Sequence, residues 1–263
     1  RVLLIMVRTP RFNYFIGHKS PEFKIWDGFE FYVPNTEVFQ QKGHLKNGNL
    51  IGEYASLFML CDKLNSENLR EGAVTICQYR RFVLNVSLGM QSENVPWCRF
   101  LTPDQMRDFD PGDKFNPLNN NVSLLATPIS IPNGILSQYG SCHHIRDIMM
   151  FSATLIDFGL LEENEVSDFL NSKVLIPSPS CGTFEIAGFM DIIDILQKAT
   201  DAFFSTNYKI YTDHYQQRVI GFLLERLHSF LLIKNLSQKG LNPFEMVGFT
   251  TVVSGDSFLQ RSA

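Results

Sequence analysis

Apolar positions along the chain fall into continuous runs and helically spaced sets. Val2 to Val7 is an unbroken apolar run ended by Arg8-Thr9-Pro10, the pattern of a strand covered on both faces. Between Glu53 and Asn65, Tyr54, Leu57, Phe58, Cys61 and Leu64 recur at helical spacing, which predicts a short amphipathic helix. Glu53 falls in its first turn, where a carboxylate suits the helix dipole. Ala73 to Cys77 reads as a second buried strand, and Val122 to Thr127 and the KVLIP stretch from Lys173 as shorter ones. Further helices are expected from about Cys142 to Phe158, over EENEVSDFL from Glu162, from Ala187 to Phe204, and from Asp213 to Lys234.

Two segments lack a sustained period. Phe12 to Asn49, rich in aromatics, Gly and Pro, predicts loops and short strands. Residues 92–121 carry Pro96, Pro103, Pro111 and Pro117, and read as a long loop excursion with one helical turn after Thr102. Residues 244–263 read as a C-terminal tail. Strands interleaved with helices predict a single α/β domain over 1–263, its sheet mixed but largely parallel and flanked by helices.

At 263 residues and 44% hydrophobic content the chain can bury a full core. Its formal charge of -4 supplies no bulk field for nucleic acid or acidic lipid, so a bound anion must be met by locally placed cations. Cys61, Cys77, Cys98, Cys142 and Cys181 show no CxxC spacing and read as core thiols in a reducing compartment. The opening apolar run is too short to span a bilayer, so a cytoplasmic protein is expected, with a peripheral contact at the cytoplasmic face of the inner membrane left open.

The common signatures GxGxxG, GxxxxGK[ST], GxSxG and HExxH are missing from the sequence. Attention moves to Gln78-Tyr79-Arg80-Arg81, which follows a buried strand directly, where open α/β sheets bind ligands. Guanidinium groups suit phosphate because they are permanently charged and donate in pairs. If the strand ran on through the motif, Arg80 and Arg81 would point to opposite faces; a salt-bridged pair at a strand end is the alternative.

In the last helix Arg218 and Glu225 share one face, as an internal ion pair or as pocket residues, while Arg226 and His228 are expected to be solvated. His143, His144 and His214 beside Asp213 are candidate bases; for the adjacent His143 and His144, surface or capping positions are the plainer reading. Asp108-Phe109-Asp110 has the Asp-x-Asp form that could hold Mg²⁺ or Mn²⁺, but no apolar strand precedes it.

Three stretches together carry a resemblance: Glu53 to Phe58 (EYASLF), Cys77 to Phe82 (CQYRRF), and Gln217 to Leu227 (QRVIGFLLERL). In order and spacing they resemble a bacterial family of capsular and exopolysaccharide glycosyltransferases, whose pattern runs roughly E-L-T-x-L-Y, C-H-Y-R-R-Y-F and Q-x-R-x-x-G-F-L-x-E-R-L. The resemblance implies a type A-like glycosyltransferase fold. It also implies transfer of a sugar from a nucleotide-sugar donor to a glycan or lipid-linked glycan of a capsule, exopolysaccharide or O-antigen.

On matching positions, Arg80 and Arg81 would meet the donor phosphates, with Tyr79, Gln78 and Arg218 also donor-binding and Glu225 and Glu53 the candidate catalytic carboxylates. Fixed cations in place of an acidic metal site would make the reaction metal-independent. Gln78 stands where the family carries His, which favours hydrogen bonding over proton transfer, and Cys181 to Phe189 lacks the family's Asn-Met pair. A non-catalytic module binding a glycan or a partner enzyme is the alternative reading, and nucleic-acid binding conflicts with the acidic balance.

Overall fold

The computed structural model describes residues 10–17, 21, 23–32, 50–92, 95–119, 121–206, 211, 213 and 215–254. The strand expected at Val2 to Val7, and His214, lie outside the described residues. In chain order the strands and helices are β1 (Arg11–Ile16), β2 (Phe29–Tyr32), α1 (Tyr54–Ser66), β3 (Ala73–Gln78), β4 (Arg81–Leu84), β5 (Met90–Gln91), β6 (Cys98–Leu101) and α2 (Pro103–Arg107). There follow β7 (Leu124–Ala126), β8 (Ile129–Ser130), α3 (Gly134–Gly140), α4 (Ile145–Asp157), α5 (Glu163–Asn171), β9 (Val174–Leu175), β10 (Gly182–Glu185), α6 (Ile186–Ser205), α7 (Val219–Gln238) and β11 (Val247–Val253).

Strand β1 lies between β2 and β3 and runs parallel to both. Beyond β3 the direction changes, since β10 is antiparallel to β3 on one side and to β7 on the other. The C-terminal β11 runs parallel to β7 and β6 and antiparallel to β4. Because β4 also pairs with β3, the ladder closes on itself through β3, β10, β7, β11 and β4. The sheet is therefore mixed, and the expectation of a largely parallel one is corrected. Residues 244–263, read as a tail, supply this central strand: Val247, Thr250, Thr251, Val252 and Val253 are β-branched and fit a pleated, buried surface.

Alternation along the strands divides two cores. Tyr14, Ile16, Val74 and Ile76 face the larger one, filled by α1, α4, α6 and α7. Phe15, Cys77, Phe82 and Leu84 face the smaller one, where Trp26, Met106 and Phe115 arrive from the long loops. The 92–121 excursion thus contributes β6 and the short α2. The Thr102 hydroxyl of α2 accepts from the Gln105 N–H at 3.2 Å, and the Gln105 side chain accepts from the Thr102 N–H at 2.9 Å.

Helix expectations hold for α1, α5, α6 and the body of α7. The helix expected from Cys142 starts at Ile145, and α3 precedes it as a separate element. Helix α7 carries apolar residues around its whole circumference and packs on all sides, so Arg226 and His228 are buried, not solvated. Of the cysteines, Cys61, Cys77 and Cys181 are buried thiols, Cys98 is half-buried and Cys142 is exposed. No helix among the described residues is long and apolar enough to cross a membrane.

Candidate active site

Strand β3 ends at Gln78, and Tyr79-Arg80 turns the chain so that Arg81 opens β4 directly opposite Gln78. The strand does not run on through the motif. Gln78 and Arg81 leave the sheet on the same face, the one covered by helices, because opposed residues of an antiparallel pair share a side. Arg80 occupies the turn tip, exposed, with its guanidinium 5.4 Å from the Tyr79 ring centre. The two arginines therefore occupy different environments, and Arg81 is the one that enters the site.

The Arg81 guanidinium donates from Nη1 to the Ser178 hydroxyl at 2.6 Å. Ser178 has φ 52, in the left-handed region that non-glycine residues rarely adopt. This holds its side chain at the start of a turn closed by the Cys181 N–H donating to the Ser178 carbonyl at 2.9 Å. The same turn presents Ser180, whose hydroxyl donates to Oε1 of Glu53. Gln78 Nε2 donates to the other Glu53 oxygen and reaches the Ser180 hydroxyl at 3.3 Å.

Glu53 precedes α1 as its N-cap residue, yet its side chain makes no cap bond, because the carboxylate turns to Gln78 and Ser180 instead. The expected first-turn dipole role is corrected accordingly. Burial raises its pKa above the ordinary carboxylate value; donation from Ser180 and the charges of Arg81 and Arg218 oppose the rise, and Glu225 reinforces it. Residues from α1, β4 and α7 thus share one electrostatic field. Burial, then the neighbouring Glu53 charge, push the Cys181 thiol up to about 12, so it stays protonated and is no nucleophile.

Helix α7 contributes the remaining residues. Arg218 stands at its N-cap, exposed, 5.6 Å from the Phe222 ring centre, with Nη2 close enough to Gly52 to sit 3.5 Å from a Cβ added there. Glu225 pairs with Arg226 at 3.3 Å rather than with Arg218. Arg226 also donates to the Phe222 carbonyl at 3.0 Å and, from Nε and Nη2, to Gln138 Oε1 at 3.2 Å, so its buried charge is satisfied.

His143, expected at the surface or as a cap, is buried and stacked against Phe222 at 4.3 Å, with its pKa lowered by burial and by Arg226. His144 is the N-cap residue of α4 without a side-chain cap bond and stacks on Tyr211. Asp213 is exposed and accepts from the Gln216 N–H. Asp108 ends α2, and Asp110 accepts from the Gly112 N–H on the other side of the sheet from Arg81. No cluster of three or more His, Cys, Asp or Glu able to hold a metal occurs among the described residues.

The sequence motifs bring together Gln78, Arg81, Glu53, Arg218 and Glu225. They miss Ser178 and Ser180, although Pro177-Ser178-Pro179-Ser180 after a short strand is a legible sign of a rigid, polar turn.

No protein-family model matches the chain, and no curated protein matches it. Among solved structures it is similar to the apo structure of WbbM, a bifunctional glycosyltransferase, with a TM-score of 0.72 and 17% identity. The match covers 92% of this chain and 45% of that one, so the chain spans less than half the length of that protein. The fold is glycosyltransferase-like.

Proposed function

We propose that the chain is a glycosyltransferase that takes a sugar from a nucleotide-sugar donor and adds it to a growing bacterial surface glycan. The observation that carries the reading is the Arg81 guanidinium, fixed by Ser178 where β3 turns into β4 and coupled to the Glu53 carboxylate. The glycosyltransferase-like fold and the three sequence motifs support it.

In this reading Arg81 meets the donor diphosphate, and Arg218, at the N-cap of α7, adds a second cation. As the bond between the sugar's anomeric carbon and the phosphate oxygen breaks, negative charge builds on the leaving diphosphate, and pre-placed guanidinium groups stabilise it without reorganising. The acceptor hydroxyl forms the new bond to the anomeric carbon and gives its proton to a carboxylate. Glu53 has both oxygens engaged by Gln78 and Ser180 and helps fix the turn from which Ser178 holds Arg81. Glu225, more open and held by one ion pair, takes the proton. The cations make a divalent metal unnecessary, and Tyr79 and Arg80 at the turn tip border the donor.

The test is release of nucleoside diphosphate from a panel of nucleotide sugars, in the presence of surface-glycan acceptors. Turnover of one donor by the parent chain and its loss in Arg81→Ala supports the reading. Failure to bind any nucleoside diphosphate would sink it in favour of a non-catalytic glycan-binding module.

A further inference from the structure

A cleft of about 520 Å³ opens on the face of the sheet opposite Arg81 and Glu53. The separation follows from strand alternation and register. Asn13, like Phe15, faces the smaller core, whereas Ile16 and Gln78 face the helices. The size lies within the range of ligand-binding pockets, about 300–1,000 Å³. Its wall is aromatic: Trp26, Phe29, Phe109 and Phe115 line it, and Trp26 stacks on Phe23 and packs tilted or edge-on against Phe15, Phe29 and Phe82.

Two polar atoms of lining residues, each almost closed to solvent, have no hydrogen-bond partner among the described residues. One is the indole Nε1 of Trp26, a residue only 8% exposed; the other is Oδ1 of Asn13, whose Nδ2 already donates to the Gly28 carbonyl at 3.0 Å. Unpaired buried donors and acceptors are rare, and each carries a desolvation cost that a ligand can remove. A donor and an acceptor within an aromatic wall match a sugar, which offers an apolar C–H face to a ring and hydroxyls that both donate and accept. Charges of both signs line the cleft, Arg11, Lys24 and Arg107 with Asp27 and Asp110, so it offers no single-sign field for a polyanion such as a nucleotide and suits a neutral glycan.

We propose that this cleft binds a neutral oligosaccharide, away from the site where Arg81 sits. The proposal concerns binding alone and stands whether or not that other site transfers sugar. A surface that grips a glycan beyond its reacting end would hold a polymer near the chain between encounters, in the manner of a second binding module.

An array of neutral oligosaccharides, followed by calorimetry with the strongest binder, tests it. At least one glycan is expected to bind, and Trp26→Phe, which keeps a ring but removes the N–H, weakens it at least about ten-fold. Asp27→Ala, at an exposed position, weakens it several-fold. Glycan affinity is unchanged in Arg81→Ala, and nucleoside diphosphate affinity is unchanged in both cleft variants. Binding to no glycan on the array, or equal affinity in both cleft variants and the parent, overturns the proposal. If Trp26→Phe does not fold, Asp27→Ala decides alone, and unaltered affinity there is sufficient to reject the cleft. Loss of nucleotide binding with glycan binding intact would count against the transfer reading only.

Discussion

Gln78 and Arg81 are register partners at the closed end of the β3–β4 hairpin, so both side chains project into the helix-covered face of the sheet. Gln78 fixes Glu53 and Arg81 is fixed by Ser178, so a carboxylate and a guanidinium share one electrostatic field while each is held by a neutral group. Arg80, one residue earlier, is left on the turn. A sequence doublet becomes one site residue and one rim residue because the turn falls between them.

The Glu53 carboxyl gives a pH signature. Burial raises its pKa above 4.5, so the folded chain holds the proton more tightly than the unfolded chain. The stabilisation is complete below pH 4.5 and is lost as pH rises through the folded value. Glu53→Gln removes this titration, and Gln78 can rotate its amide to pair with the new one. The melting temperature of the variant minus that of the parent therefore increases between pH 4.5 and pH 8; a flat difference would show that the carboxyl does not feel the burial described.

His228 titrates in the opposite sense. It is fully buried, its Nδ1 lies 3.3 Å from the Tyr54 hydroxyl, and burial lowers its pKa to about 3. The unfolded chain takes up a proton near pH 6.5 while the folded chain does not. Stability from this residue is present above pH 6.5 and falls by about 1.4 kcal/mol per pH unit as the solution is acidified toward the folded value. Urea unfolding of His228→Gln between pH 7 and pH 5 is expected to show a shallower decline than the parent. Parallel declines would contradict the assignment.

How much of this could be read from the sequence depends on what each element offers. Helices α5 and α6 announced themselves because one face is apolar and the other is not; α1 was legible from apolar residues at helical spacing, although Tyr54 to Cys61 are all buried. Helix α7 broke that rule: with packing on every side, Arg226 and His228 had no solvent face to occupy. Strand β11 was hidden because Gly248 and paired threonines dilute its hydropathy, although β-branching is what a central strand selects. Glu53, Gln78 and Arg81 were legible from their motifs. Ser178 and Ser180 were legible only as part of a rigid Pro-Ser turn, since a serine hydroxyl carries no signal of its partner until the fold brings a carboxylate or a guanidinium to it.

The central place of β11 is open to a direct check. A Cβ at Gly248 would lie 2.6 Å from the Leu84 carbonyl oxygen and 2.8 Å from Val83 Cγ1. A backbone atom cannot rotate away, so Gly248→Ala is expected to cost about 1–3 kcal/mol. The denaturation midpoint reads it, and an unaltered midpoint would mean that β11 is not held against β4.

Metal independence follows from using Arg81 and Arg218 as the cations. Sugar transfer is expected to continue at the same rate after EDTA treatment and dialysis. Complete loss, restored by Mg²⁺ or Mn²⁺, would contradict the role given to the guanidinium groups and return attention to Asp108 and Asp110.

The most direct measurement is a calorimetric titration of UDP, GDP and CMP into the parent chain, Arg81→Ala and Arg80→Ala. The account predicts that one nucleotide binds the parent, that Arg81→Ala weakens it by about 10²-fold, and that Arg80→Ala has a far smaller effect. Equal affinity in the parent and Arg81→Ala, or loss confined to Arg80→Ala, would contradict it.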